Sequence, residues 1–250
     1  MFAIVNAKEL KKAIAAVARA AAKPNSREVA RCPALATIRF SFTGDKLELA
    51  ACDGFRLATL TIDCQSDTDA VCLVNAGTVK KWKSKSALAT ITIDGDALTL
   101  DQLKLSIDPS EYVDLDSLDI DHNITITVSA ADLKQSIKAV KVFAKDNSNF
   151  VRFITTDAAM LIHSASAEWG DYTGLIPCQS NAEIEFAANC TYLWDALVNA
   201  KGDITINMTE RWLPFEIHST ARWTIMPMSI DESDFQHRRE YMHRKQEAAA

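Results

Sequence analysis

The chain has 250 residues, enough for one large domain or for two of about 100–150 residues each. Apolar residues make up 48% and charged residues 24%, the proportions of a globular protein that can bury a core. The net charge of −6 argues against a general attraction of the whole molecule to nucleic acid, so the distribution of charge matters more than its sum.

In chain order, KELKKAIAAVARAAAK (8–23) is the first predicted helix: Leu10, Ile14 and Val17 fall on one face, and Pro24 ends it. Period-2 alternation then predicts strands over 37–42 and 46–52, a hairpin turn at Asp53-Gly54, and a strand over 55–62. A second helix is predicted over 75–86, followed by strands over 89–93, 97–100 and 104–107. The segment DPSEYVDLDSLDIDHN (108–123) is acidic and carries a proline, which suits a boundary.

Beyond it come a strand over 123–128 and a helix over 131–145 whose apolar face, Leu133, Ile137 and Val140, repeats that of the first helix 123 residues on. Ser129 is its predicted N-cap, with Asp132 three residues later. Strands follow over 150–155, 160–165, 174–178 and 182–187, then a helix over 189–201, then strands over 203–208, 215–219 and 223–228. Residues 1–115 and 123–230 thus share one order of elements, an internal duplication. The fold class is α+β, each unit having two helices packed on antiparallel sheets. The expected domains are 1–118 and 123–230, with a C-terminal tail, 231–250, that is helical or disordered.

The four helical segments hold 14 Lys/Arg and three Asp/Glu, against 27 and 33 in the whole chain. The remainder therefore holds 13 basic and 30 acidic residues. Lys134, Lys138, Lys141 and Lys145 form one stripe opposite the apolar face of their helix. Lys8, Lys11, Lys12, Arg19 and Lys23 give the first helix a comparable surface, and Lys80, Lys81, Lys83 and Lys85 crowd the second without an acid among them. Lys201 is the single basic residue of the fourth. Solvated helix faces usually mix Glu with Lys for i, i+4 pairing, whereas faces nearly free of acid suit a polyanion. Lysines without interleaved base-reading groups contact phosphates, which gives affinity without sequence choice.

No phosphate-binding loop, nucleophile elbow or zinc-protease motif is present, and only seven glycines are available for such loops. His163 and His218 sit in strand patterns as filler rather than catalytic groups, and the DLDSLDID run (114–121) lacks the glycine and terminal glutamate of a calcium loop. The six cysteines show no metal-ligand spacing and are read as small buried thiols of a reducing compartment. The N-terminus has no signal-peptide core, and no run approaches the ~20 apolar residues of a membrane span. The expectation is a cytoplasmic non-enzyme with no metal, no cofactor and no membrane partner.

Three segments carry a resemblance to a known family. LELAACDGFRLATL resembles the strand–turn–strand of the bacterial DNA polymerase III β subunit, the sliding clamp, with its T-D-G-H-R-L core. YVDLDSL follows its strand as the family's F-P-D-Y segment does, and WTIMPMSI is similar to the family's terminal V-V-M-P-M-R-L. The match runs over residues 1–230 and covers the second and third of the family's three domains. It implies a ring of clamp domains around duplex DNA, with helices lining the hole and sheets forming the rim.

The implied function is a nucleoid-associated processivity factor that tethers a DNA polymerase catalytic subunit and is placed by a clamp loader. The alternative is a clamp-like interaction module that never closes on DNA. Family rings contain six domains, so two per chain imply a head-to-tail homotrimer. The resemblance also implies a peptide-docking groove at Leu35, Cys52, Gly54, Phe55, Arg56, Leu57, Val79, Trp212, Thr224, Met226, Pro227 and Met228, with Arg56 bonding peptide carbonyls at its rim. Phe55, Thr224 and Ser229 stand where the family usually has His, Val and Arg.

Overall fold

The computed structural model of the chain describes residues 1–115, 118 and 120–230. In the first repeat the elements run β1 (Phe2–Asn6), α1 (Ala7–Val17), α2 (Arg27–Arg31), β2 (Thr37–Thr43), β3 (Lys46–Cys52), β4 (Arg56–Ser66), β5 (Ala70–Asn75), α3 (Ala76–Val79), β6 (Leu88–Asp94), β7 (Ala97–Leu100) and β8 (Leu103–Ser106). The second repeat runs β9 (Ile124–Ser129), α4 (Ala130–Ala144), β10 (Phe150–Thr155), β11 (Ala159–Ser166), β12 (Gly170–Ser180), β13 (Ile184–Asn189), α5 (Cys190–Leu197), β14 (Asp203–Met208), β15 (Phe215–His218) and β16 (Arg222–Ile225).

Among the described residues four strands run directly into helices, and all four joints are built alike. The last strand residue is Asn6, Asn75, Ser129 or Asn189, and its side chain accepts a hydrogen bond from an amide of the first helical turn. That satisfies a donor the helix cannot use internally while the chain changes direction. The predicted cap at Ser129 is among them, accepting from the Asp132 amide.

Within each repeat two antiparallel sheets share a long strand. β5–β2–β3–β4 forms one sheet of the first repeat; the far end of β4 then pairs with β1, which leads to β6, β7 and β8. The second repeat copies this as β13–β10–β11–β12, then β9, β14, β15 and β16. The registers also match: Ala3 faces Ser66 and Ile91, as Ile126 faces Ser180 and Ile206. The repeats are joined by one more ladder, in which β16 pairs with the start of β4 from Arg222↔Thr59 to Ile225↔Arg56.

α1 buries Leu10, Ala13, Ile14 and Val17, and α4 buries Leu133, Ile137, Val140 and Ala144, as their spacing predicts. Both pack on sheet strands, and the core between is filled by Phe40, Phe42, Phe153, Phe186, Phe215 and Trp223, all under 2% exposed. Phe153 and Phe186 stack at 4.9 Å between centroids. No helix among the described residues is long and apolar enough to cross a membrane.

The helix expected over 75–86 ends at Val79. Tight turns follow, with the amides of Lys81 and Trp82 bonded to the carbonyls of Thr78 and Val79. They drop the Trp82 ring into the core, where its Nε1–H donates to Asp101 at 3.2 Å. Lys81, Lys83 and Lys85 therefore stand on a loop. The first helix likewise stops at Val17 rather than residue 23. Between α1 and β2 the first repeat carries α2 and a 3-10 turn, Pro33–Ala36, which the shorter link between α4 and β10 lacks. Neither these nor β5, whose AVCLVN is apolar without strict alternation, is among the predicted elements. The expected tail, 231–250, lies outside the described residues.

Candidate functional site: a basic helix layer and a groove at the repeat junction

Most of the basic residues predicted to meet phosphate point outward from the helices and their ends. Lys8, Lys11, Lys12 and Lys23 are exposed on and beyond α1, Lys80, Lys81, Lys83 and Lys85 on and after α3, Lys138, Lys141 and Lys145 on α4, and Lys201 after α5. Lys134 is half-buried, its Nζ donating to the Ala200 carbonyl at 2.6 Å, so it ties α4 to the end of α5. Lys141 Nζ lies 5.9 Å from the Trp194 ring centre on the same neighbour.

The helix layers of the two repeats meet at the junction. Arg19, just past α1, pairs with Asp195 of α5 at 3.2 Å, and Arg19 is partly committed there rather than free for phosphate. Lys80 belongs to this meeting point too. Although Lys80 is exposed as a whole, partial desolvation by the surrounding protein lowers its pKa, repulsion from Arg19 lowers it further, and Asp195 partly offsets both. The layer presents amines and guanidinium groups, which are able to attract phosphate without reading a base.

The Asp53-Gly54 turn forms as predicted. Asp53 N bonds Arg56 O at 3.2 Å, and Asp53 Oδ1 accepts from the amides of Phe55 and Arg56. Gly54 has φ +91°, a backbone state glycine adopts without steric cost in a two-residue hairpin loop.

Arg56 departs from the expected role. Its side chain is only 9% exposed and reaches inward: Nε donates to Asp53 at 3.1 Å, Nη1 to Asp195 at 2.7 Å and Nη2 to the Arg19 carbonyl at 2.7 Å. The guanidinium also lies over the Tyr192 ring at 4.4 Å. It is a rivet between repeats, with three of its five N–H groups committed to acceptors within the chain and its side chain turned inward rather than toward a rim.

The other groove residues separate into two apolar places. Leu35, Cys52 and Leu57 are buried in a small cluster with Ala22 and Ala50, apart from the main core. Val29, Cys32, Tyr112, Val113, Leu115 and Leu118 pack against it. A cavity of about 670 Å³ opens here, lined by Leu57, Thr224, Tyr112 and Leu118, with Arg39, Glu48 and Arg222 supplying charge. The second place is exposed: Phe55 is 50%, Met226 43% and Trp212 63% open to solvent. A cavity of about 240 Å³ lies among Trp212, Pro227, Met228 and Ile230. The Met-Pro-Met segment connects the repeats, Met226 N bonding Phe55 O and Met228 N bonding Ala187 O, each at 2.8 Å.

Val79 belongs to neither place. As the last residue of α3 it is fully buried in the main core. Sequence reasoning missed the residues that pack on this cluster, Val29 and Cys32 of the α2 segment and Tyr112, Val113, Leu115 and Leu118 of the link. The signal for the latter was present, four apolar residues spaced through an otherwise acidic link.

Among the described residues no group of His, Cys, Asp or Glu could hold a metal ion. His163 bonds Thr173, and His218 donates to Glu216 at 2.9 Å. Burial raises the Cys52 thiol, and it raises the neighbouring Tyr112 hydroxyl strongly.

No family model and no curated protein matches the sequence. Solved structures do match the fold. The DNA polymerase III β subunit of Thermotoga maritima is 22% identical with a TM-score of 0.84, covering 92% of this chain and 66% of that one. The DNA polymerase sliding clamp of Bacillus subtilis is 21% identical with a TM-score of 0.83, covering 92% and 65%. The DNA polymerase III subunit β of Pseudomonas aeruginosa is 15% identical with a TM-score of 0.83, covering 92% and 66%. The chain thus spans just under two thirds of the length of these structures. Over 92% of its own length, it has the fold of the DNA polymerase III β sliding clamps.

Proposed function

We propose that this protein is a sliding clamp, a non-enzymatic processivity factor that encircles duplex DNA without sequence preference and tethers a replicative polymerase. Residues 1–118 and 123–230 are its two clamp domains. Three copies closing head to tail give a ring of six domains. A clamp loader opens the ring, and polymerase and loader peptides dock at the junction groove, seating apolar side chains against Phe55, Trp212, Met226 and the Leu57–Leu118 cavity.

One observation carries this reading: exposed lysines gather on the helices of both repeats, on a molecule that is acidic elsewhere. The two helix layers meet through Arg19 and Asp195, so a threaded duplex would face a continuous basic surface. Topological linkage needs only modest phosphate attraction, which suits lysines that bond no base.

The test uses the full chain and a singly nicked circular plasmid. Sedimentation should show a species near three times 27.5 kDa. Protein should co-elute with the circle on gel filtration and be lost when a restriction enzyme linearises it. Changing Lys8, Lys12, Lys138 and Lys145 together to Glu should abolish retention and leave the sedimentation unchanged. Equal retention on circle and linear DNA would mean ordinary electrostatic binding and would reject encirclement.

A further inference from the structure

The duplication continues past the last strand. β16 corresponds to β8, since Ile217 faces Trp223 as Leu100 faces Leu103. β13 corresponds to β5, since Asn189 and Asn75 end them and cap the helices that follow. Beyond β16 the Met228 amide bonds the Ala187 carbonyl of β13, as beyond β8 the Asp108 amide bonds the Leu73 carbonyl of β5, each at 2.8 Å. Asp108 and Met228 thus hold the same place in the two repeats.

In the first repeat, residues after Asp108 lie back on their own sheet. They cover the face turned away from the main core: Leu49 and Ala51 point into that core, Ala50 and Cys52 into the small cluster. The Tyr112 hydroxyl donates to the Ala50 carbonyl at 3.4 Å, and Val113, Leu115 and Leu118 pack on the cluster that holds Ala50, Cys52 and Leu57. Those three are 1%, 5% and 7% exposed. Strand register identifies their counterparts. Ala50 faces Thr59 as His163 faces Thr173, and Cys52 faces Leu57 as Ala165 faces Asp171. The counterparts are less covered, His163 and Ala165 being half-buried and Asp171 exposed.

Counting on from Met228 as from Asp108, Glu232 stands for Tyr112, Phe235 for Leu115 and Arg238 for Leu118. The exchanges suit the surface below. Where Tyr112 meets Ala50, Glu232 would meet His163. Where Leu118 packs on the cluster of Leu57, Arg238 would meet Asp171. Phe235 is larger than Leu115, and the second repeat has no α2 segment or 3-10 turn to fill the space beside it. Both members of each contact change together, from apolar neighbours to complementary charges. We propose that residues 231–238 strap back over β11 and the start of β12 of their own chain, on the path that Tyr112, Leu115 and Leu118 take over the first repeat. The chain thereby closes, with its own tail, the surface that corresponds to the junction groove. This holds whether or not a ring forms.

Chymotryptic cutting after Phe235 in the full chain, followed by mass spectrometry, tests it. The wild-type cut should be roughly tenfold slower than in the free peptide 229–245, because the protease must wait for the strap to lift. Asp171→Arg and Arg238→Asp should each speed it about fivefold, an attraction between exposed charges having become a repulsion. The double variant should be slow again, a recovery that neither misfolding nor an altered cleavage sequence would produce. As an independent check, Ala165→Cys combined with Phe235→Cys should close an intrachain disulfide on mild oxidation, and neither single variant should. A wild-type cut as fast as in the peptide overturns the strap. Slow cutting indifferent to both charge variants, with no disulfide, seats the tail elsewhere, as at the Trp212–Met228 cavity, and overturns this path. Protection that fades on dilution gives the strap to a second copy and overturns the intrachain assignment.

Discussion

At the scale of single residues, the most consequential polar groups are buried and paired. Glu216 on β15 is 3% exposed; its Oε1 accepts from Arg222 at 2.8 Å and its Oε2 from His218 at 2.9 Å. Burial alone would raise its pKa, but the bonds from Arg222 and His218 more than offset that, and the net shift is downward. A carboxylate with a folded pKa below its unfolded value of about 4.3 adds stability that is complete above that value and lost as pH falls through the lowered one. Glu216→Gln should therefore flatten the acid limb of a plot of urea midpoint against pH below about 4.5. An acid limb as steep as the wild type's would remove Glu216 from the account. The cysteines are set by burial in the opposite sense. Cys72 is pushed up to about 12, and Cys52, Cys64, Cys178 and Cys190 are all raised by desolvation, while Cys32 is only half-buried. A colourless aromatic disulfide reagent at pH 8 should titrate one thiol quickly and all six only in denaturant.

At the scale of elements, the strand-to-helix joints carry the repeat. Asn6 accepts from both Lys8 and Glu9 amides, so Asn6→Ala should cost about 1 kcal/mol and lower Tm by roughly 2–4 °C for a chain of this size. Asn6→Asp should retain most of that, because the carboxylate still accepts and also complements the helix N-terminus. A calorimetric scan separates the two variants. These joints explain why so much of the fold was readable. An apolar face at helical spacing, a capping side chain and alternating strands are local signals, and α1, α4 and the strands 46–52, 97–100, 150–155 and 203–208 follow from them. What was unreadable depends on distant partners. The 75–86 helix stops because Trp82 finds Asp101 in the core, and no local rule contains that contact. Val79 was placed in the groove by resemblance, whereas its own repeat buries it completely. Val29 and Cys32, which pack against the Leu35–Cys52–Leu57 cluster, sit on a segment present in one repeat only, so the duplication could not supply them.

At the scale of the whole molecule, the question is how two repeats behave as one body. Their ladder is only four residue pairs long, from Arg222↔Thr59 to Ile225↔Arg56. A ladder that short would leave the halves free to unfold separately unless something else couples them. Trp223, 1% exposed, supplies apolar burial, and Arg56 supplies direction by holding Asp53 of its own turn, Asp195 of α5 and the Arg19 carbonyl at once. Removing the guanidinium strands two mostly buried carboxylates, since Asp53 and Asp195 side chains are 14% and 17% exposed. Breaking a buried pair of this kind costs about 3–5 kcal/mol. The cost should lie toward the lower end, because Arg19 still reaches Asp195 and backbone amides still reach Asp53. Arg56→Ala should therefore do more than lower stability: it should turn one calorimetric transition into two, the halves melting apart. Arg56→Lys should not rescue it, since an ammonium cannot aim three fixed donors at three separated acceptors. A single, merely shifted transition in Arg56→Ala would show that the ladder and Trp223 suffice, and that the rivet adds stability without coupling.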